Sequence, residues 1–294
     1  MSWSLIDLHT FLGFLSMNSS ASTDLDKNQT PRNTQSKAIR QGLSLLLIAT
    51  LLCACQTTSF NDTSYPFIIN SEKMAEQPVD KVIIAHVNYG SPSKHYLNEY
   101  ETKIDKEVIA QLEAGGYQIE SNALFQKAWR DAIRKYGEPF SPVTSQINPR
   151  AFQRVAYTAI NTLKEQTDIK AVVFTDLIER QVSFGHHINR NTKWDGVSRK
   201  PKIKGAGTGI SQGFDWSQTV PAASLSVTIY NVDGQRLFQS IGGLEVTRKL
   251  DPNKGGNGRF VRRDKLFSSQ TNVRQGVNLA LHPFVKMKGY PEKK

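Results

Sequence analysis

The chain has 294 residues, a formal net charge of +11, 38% hydrophobic residues and a mean hydropathy of −0.42. That balance suits a soluble globular protein with room for one sizeable domain or two small ones. Its only cysteines, Cys53 and Cys55, lie almost side by side, which excludes a disulfide framework, thiol catalysis and cysteine-ligated zinc from the remainder of the chain.

Lys27, Arg32, Lys37 and Arg40 form a basic stretch, and an apolar run from Gly42 to Leu52 follows it. A spanning helix needs roughly 20 apolar residues, so a run this short reads as the core of an export signal. It ends in Leu52-Cys53-Ala54-Cys55, which resembles the lipobox of bacterial lipoproteins. The resemblance implies cleavage before Cys55, diacylation of its sulfur and acylation of its new amine. Three acyl chains exceed the two signals that stable anchoring requires. The alternative is an ordinary signal cut at an Ala-x-Ala-like site. Asp7, Asp24 and Asp26 are unusual ahead of such a signal, and Met17 is a second candidate start. Residues 1–54 are therefore set aside as extension and signal. Gln56 stands where the lipoprotein sorting rule reserves Asp for inner-membrane retention, so the resemblance implies the periplasmic face of the outer membrane in a two-membrane cell.

Removing residues 1–54 takes away a charge of +1, which leaves about +10. Such an excess suits an acidic protein, anionic lipid headgroups or an anionic wall polymer; export argues against nucleic acid. The expected partners are the membrane, through lipid on Cys55, and a periplasmic protein or anionic wall polymer. No cofactor and no metal are expected.

Residues 55–78, rich in Thr, Ser and Asn, read as a lipidated tether. Residues 79–294 read as a single periplasmic domain. Lys81 to Asn88 is a strand, and Leu97, Tyr100, Ile104, Val108, Ile109 and Leu112 recur at helical spacing. Gly115-Gly116 ends that helix, and Tyr117-Gln118-Ile119 is a short strand. Ser121 or Asn122 caps a second helix with Leu124, Phe125, Ala128, Trp129, Ala132, Ile133 and Tyr136 on its apolar face. Asn148-Pro149 opens a third. Ile169 to Phe174 is a buried strand that Asp176 to Phe184 continues. After an insertion at about 185–220, Ala223 to Tyr230 alternates cleanly, Val232-Asp233-Gly234 turns, and Arg236 to Leu250 returns. A last helix runs through Val273, Val277 and Leu281. The order β-α-β-α-α-β-β-β-α predicts an α/β fold, one mixed sheet packed by about four helices.

This order resembles the domain of the curli-secretion channel lipoprotein, the penicillin-binding-protein activator lipoproteins and the Tol translocation protein's N-terminal domain. The matching stretches are Val82–Val87, the helix ending Gly115-Gly116-Tyr117-Gln118-Ile119, Ala171-Val172-Val173-Phe174, and Leu225–Tyr230 with Asp233-Gly234 and Leu237–Val246. The resemblance implies an adaptor or envelope-assembly role and brings no catalytic residues. A pore is not expected, because residues 185–220 lack the lipid-facing alternation of a membrane strand.

Several motifs weigh little. Gly209-Ile210-Ser211-Gln212-Gly213 has the spacing of a nucleophile elbow without the strand before it or the helix after it. Gly205-Ala206-Gly207-Thr208-Gly209 lacks the Lys-Ser/Thr ending of a phosphate loop. His186-His187 has no third ligand at metal spacing. The insertion offers a better candidate: Arg190, Lys193, Trp194, Arg199, Lys200, Lys202 and Lys204, followed by Phe214 and Trp216, mix cations with aromatics as partner-binding surfaces do. Lys254, Arg259, Arg262 and Arg263 form a second basic loop. The function expected is a lipid-anchored, non-enzymatic adaptor or assembly factor. An accessory part of a secretion or surface-structure apparatus, and an envelope hydrolase, are the alternatives.

Overall fold

The computed structural model describes residues 66–86, 95–141, 146–184, 191–203, 217–251 and 259–290. The chain divides after Cys55, and all the described residues lie in the second part. Among them, no helix is long and apolar enough to cross a membrane.

The fold is α/β, built on a six-stranded mixed sheet. Its strands are β1 (Phe67–Ile69), β2 (Lys81–His86), β3 (Gln118–Glu120), β4 (Ala171–Ser183), β8 (Thr219–Asn231) and β9 (Arg236–Val246), in the order β1-β9-β8-β4-β2-β3. The smaller strands are β5 (Thr192–Trp194), β6 (Val197–Arg199), β7 (Lys202–Ile203), β10 (Arg248–Asp251) and β11 (Arg259–Arg262). In the main sheet β3, β2 and β4 run parallel, and β4, β8, β9 and β1 are antiparallel neighbours.

Among the described residues there are six helices: α1 (Ser71–Glu76), α2 (His95–Asn98), α3 (Glu101–Ala114), α4 (Asn122–Tyr136), α5 (Pro149–Gln166) and α6 (Gln270–Leu281). Their starts follow from side chains that accept otherwise unpaired amides. Ser121 accepts from the Ala123 amide, Asn148 from Ala151 and Ser269 from Asn272. Gly137 ends α4 at φ +86°, a conformation open to glycine at no steric cost.

Alternation along the strands feeds two cores. Val82, Ile84, Ala171 and Val173 face α3 and α6, while Ile83, Ala85, Val172 and Phe174 face α4 and α5. Helix α6 lies unusually close to β9. A Cβ on Gly276 would sit 2.5 Å from the Gly243 carbonyl oxygen, and one on Gly242 would sit 1.9 Å from the Gly276 oxygen. Gly242 and Gly276 are what permit this approach, while Gly243 makes room on the other side for β5 and β6, where its Cβ would sit 2.4 Å from Val197 Cγ2.

Four features differ from the sequence expectation. Within the stretch read as tether, residues 66–78 already belong to the domain, because β1 pairs with β9 and α1 follows it. The helix expected from Leu97 is two helices, with Tyr100 at the N-cap of α3. The return strand breaks at Thr247, whose amide bonds the Pro221 carbonyl. The insertion holds β5, β6 and β7 in its described part, where a loop was expected.

Candidate functional site

The far end of the sheet, where β4 finishes and β8 begins, carries the described part of the predicted cationic surface. Thr192–Trp194 and Val197–Arg199 form a hairpin around Asp195-Gly196, with φ of +39° and +81°. Two successive positive φ values are what a two-residue hairpin turn needs, and Asp-Gly supplies them. The hairpin's inward residues are buried. Trp194 is 5% exposed and packs with Val182, Val197, Val220, Val246 and Leu279. Its indole donates to Ser224 Oγ at 3.1 Å, and Ser224 donates to Asp195 at 2.7 Å. Arg180 completes the cluster, 3.2 Å from the same Asp195 oxygen.

Arg199 is held from three sides. It donates to the Leu244 carbonyl at 3.0 Å, to Gln275 at 2.7 Å and to the Asn272 carbonyl at 3.3 Å. Burial pulls its guanidinium down to about 10. Trp194 and Arg199 are therefore corrected from partner-binding candidates to structural anchors: their side chains are used inside the protein. Lys193, Lys200 and Lys202 are exposed at this end. Arg190, Lys204, Phe214 and Trp216 lie outside the described residues, as do His186-His187, both glycine motifs and Lys254.

Beside the hairpin, Glu245 is 4% exposed and Arg263 8%. They approach at 2.6 Å, as an ion contact rather than an aligned hydrogen bond, and Lys202 lies 3.3 Å from the same carboxylate oxygen. The other oxygen accepts from the Phe267 amide at 2.6 Å, and Arg263 also donates to the Val246 carbonyl at 2.9 Å. Arg263, from the second basic loop, is thus also structural. Arg262 stays exposed and stacks on Tyr96 at 4.2 Å.

These groups border a cleft of about 320 Å³ lined by Tyr96, Glu99, Tyr100, Arg262, Asp264 and Leu266. The Tyr96 hydroxyl donates to Glu179. Burial and then that carboxylate push the phenol up to about 12, so it stays a protonated donor at neutral pH. Among the described residues, no group of three or more His, Cys, Asp and Glu could hold a metal.

A second surface was missed by the sequence reading. The outward positions of α4 and α5 carry Lys127, Arg130, Arg134, Lys135, Arg150, Arg154 and Lys164, against only Asp131 and Glu165. Asp131 is engaged by Arg134 at 3.1 Å, and Lys164 by Asp233 at 2.6 Å. Two tyrosines stand among these cations, Tyr136 at 39% exposure and Tyr157 at 49%. Lys135 Nζ lies 5.1 Å from the Tyr136 ring centre. Hydrogen bonding with Lys135, then with Thr158, draws the Tyr136 phenol below its ordinary range, with Arg154 adding to the effect. Helical periodicity could have found this face: Lys127, Arg130 and Arg134 fall three and four apart, opposite Phe125, Ala128 and Ala132.

No protein-family model and no curated protein matches the chain. Among solved structures, a PelC dodecamer from Paraburkholderia phytofirmans is similar at 10% identity, over 71% of this chain and 93% of that one, with a TM-score of 0.28. A likeness at that score carries no argument about function.

Proposed function

We propose that this chain is a lipid-anchored envelope protein acting as a non-enzymatic adaptor, held by Cys55 on the periplasmic face of the outer membrane. Its α4–α5 face takes an acidic protein partner. The observation that carries the partner reading is the composition of that face, with exposed Tyr136 and Tyr157 set among four arginines, Arg130, Arg134, Arg150 and Arg154. Arginine offers a planar fork to carboxylates. Tyrosine gives a large, rigid contact at little entropy cost, and both residue types dominate the energetics of protein interfaces. The anchoring part rests on Leu52-Cys53-Ala54-Cys55.

Two measurements test the proposal. The intact mass of the protein from membranes should begin at Cys55 and carry three acyl chains, and Cys55→Ser should lose them. A chain that begins at Met1 or Met17 without lipid would overturn the anchoring. For the adaptor role, envelope extract is passed over wild type and over Arg130→Glu/Arg154→Glu. A protein retained by wild type and lost from the variant is the expected result, and identical retention would remove the face from the proposal.

A further inference from the structure

Strand β1 has a direction, and that direction says toward which end of β9 Pro66 lies. β1 pairs antiparallel with β9, Phe67 opposite Ser240 and Ile69 opposite Phe238. Pro66 therefore lies toward the Val246 end of β9. Ser240 Oγ, 3.4 Å from the Pro66 carbonyl, holds the entry point. This is the end of the sheet that bears the β5–β6 hairpin and β10. Between Cys55 and Pro66 lie residues 56–65, which can reach at most about 35 Å even when fully extended.

The same end divides its charges by depth. Three of its carboxylates point inward and are engaged. Asp195, Glu245 and Asp251 are 8%, 4% and 1% exposed, Asp195 meets Arg180, and Glu245 meets Arg263. Lys193, Lys200, Lys202, Arg248, Arg262 and Lys265 are exposed, against the exposed acids Glu99 and Asp264, the latter paired with Lys249. The acids that would cancel these cations have been drawn into the protein, so the field leaving this end is positive.

We infer that this end of the domain rests on the bilayer, its exposed cations against anionic lipid headgroups, and that the α4–α5 face stays clear of the membrane. The inference rests on the lipid-anchored reading of Cys55. A lipid anchor holds the domain within a short reach of the surface, where each added Lys or Arg strengthens attraction to an anionic leaflet about five-fold. Helices α4 and α5 pack over Val172 and Phe174, near the start of β4. Ser183 lies nine residues further along the strand than Phe174, roughly 30 Å. The core under α4 and α5 and the cationic end therefore lie toward opposite ends of β4.

The test uses the full chain carrying Cys55→Ser, so that no lipid contributes. Sedimentation with phosphatidylcholine vesicles, with and without phosphatidylglycerol, is compared for this parent, for Lys193→Gln/Lys200→Gln/Lys265→Gln, and for Arg130→Gln/Arg134→Gln/Arg154→Gln. Lys202 is left in place because it contacts Glu245. We expect phosphatidylglycerol to increase binding of the parent. The lysine variant should lose roughly 100-fold of that increase, at about five-fold per charge, and the arginine variant should keep most of it. Binding indifferent to phosphatidylglycerol, or equal losses in both variants, overturns the inference. So does a parent that binds soluble polyglutamate through these lysines but not the vesicles, which would give this end to an acidic protein instead. Failure of the anchor itself appears separately, in the intact mass.

Discussion

Replacing Gly276 by Ala sets two effects against each other. In an ordinary helix interior Ala is better than Gly by about 0.8–1.0 kcal/mol, so on helix propensity alone α6 should gain. The added Cβ, however, would lie 2.5 Å from the Gly243 carbonyl oxygen and 2.5 Å from Leu244 Cδ2, where ordinary contact begins at 3.4 Å. The oxygen belongs to a backbone held between β8 and α6, so it cannot rotate aside as a side chain would. Helix α6 must back away by about 0.9 Å, loosening Val273, Val277 and Ala280 against the sheet. Overpacking of this kind costs roughly 1–3 kcal/mol, and the rigidity of the opposing group puts this case in the upper part of that range. Net of propensity, Gly276→Ala should destabilise by about 1–2 kcal/mol. At roughly 2–4 °C per kcal/mol for a domain of this size, Tm falls by about 2–8 °C. Thermal unfolding followed by circular dichroism, in the Cys55→Ser background, reads it. A Tm equal to or above that of the parent would refute the close helix–strand contact, because the two effects predict opposite signs.

Two further outcomes follow from the hairpin and the cleft. Trp194→Ala should cost roughly 3–5 kcal/mol in urea unfolding, as a buried aromatic does, whereas a surface interface residue would stay within about 0.5 kcal/mol; the smaller value would return Trp194 to the surface. Tyr96, with its phenol raised to about 12, contributes stability that is whole below its ordinary value of 10.0 and is lost as pH rises from there through 12. Tyr96→Phe should therefore narrow its stability gap to the parent across that alkaline window, and an unchanged gap by urea titration would contradict the buried phenol.

The large elements were legible because their periodicities were long and clean. The apolar face of α4, with Phe125, Ala128, Trp129 and Ala132 buried, and the alternation of β8 leave little choice of structure. The caps at Ser121 and Asn148 were legible for the same reason: short polar side chains sit where amides need acceptors. The β5–β6 hairpin was not. Its strands are three residues each, so alternation has no room to declare itself, and its inward positions include Arg199, a residue whose charge argues for solvent. Only tertiary partners, the Leu244 and Asn272 carbonyls and Gln275, make that burial tolerable. The Asp195-Gly196 turn was the one local signal available. On α4 and α5 the outward arginines were readable from spacing, opposite the apolar stripe.

The hairpin also settles how the sheet ends. A strand with free amides and carbonyls invites another copy of itself to add on, a hazard that grows where molecules crowd in two dimensions. β1 covers β9 only from Phe238 to Ser240. Further along, the Gly243 amide is taken by the Asp195 carbonyl at 2.8 Å and the Leu244 carbonyl by Arg199. At the opposite edge, β3 offers only three residues, one of them Glu120. Were the proposed lipid anchor to concentrate the domain on a surface, its described edges would present little template for runaway strand addition, and the short hairpin would guard the longest of them.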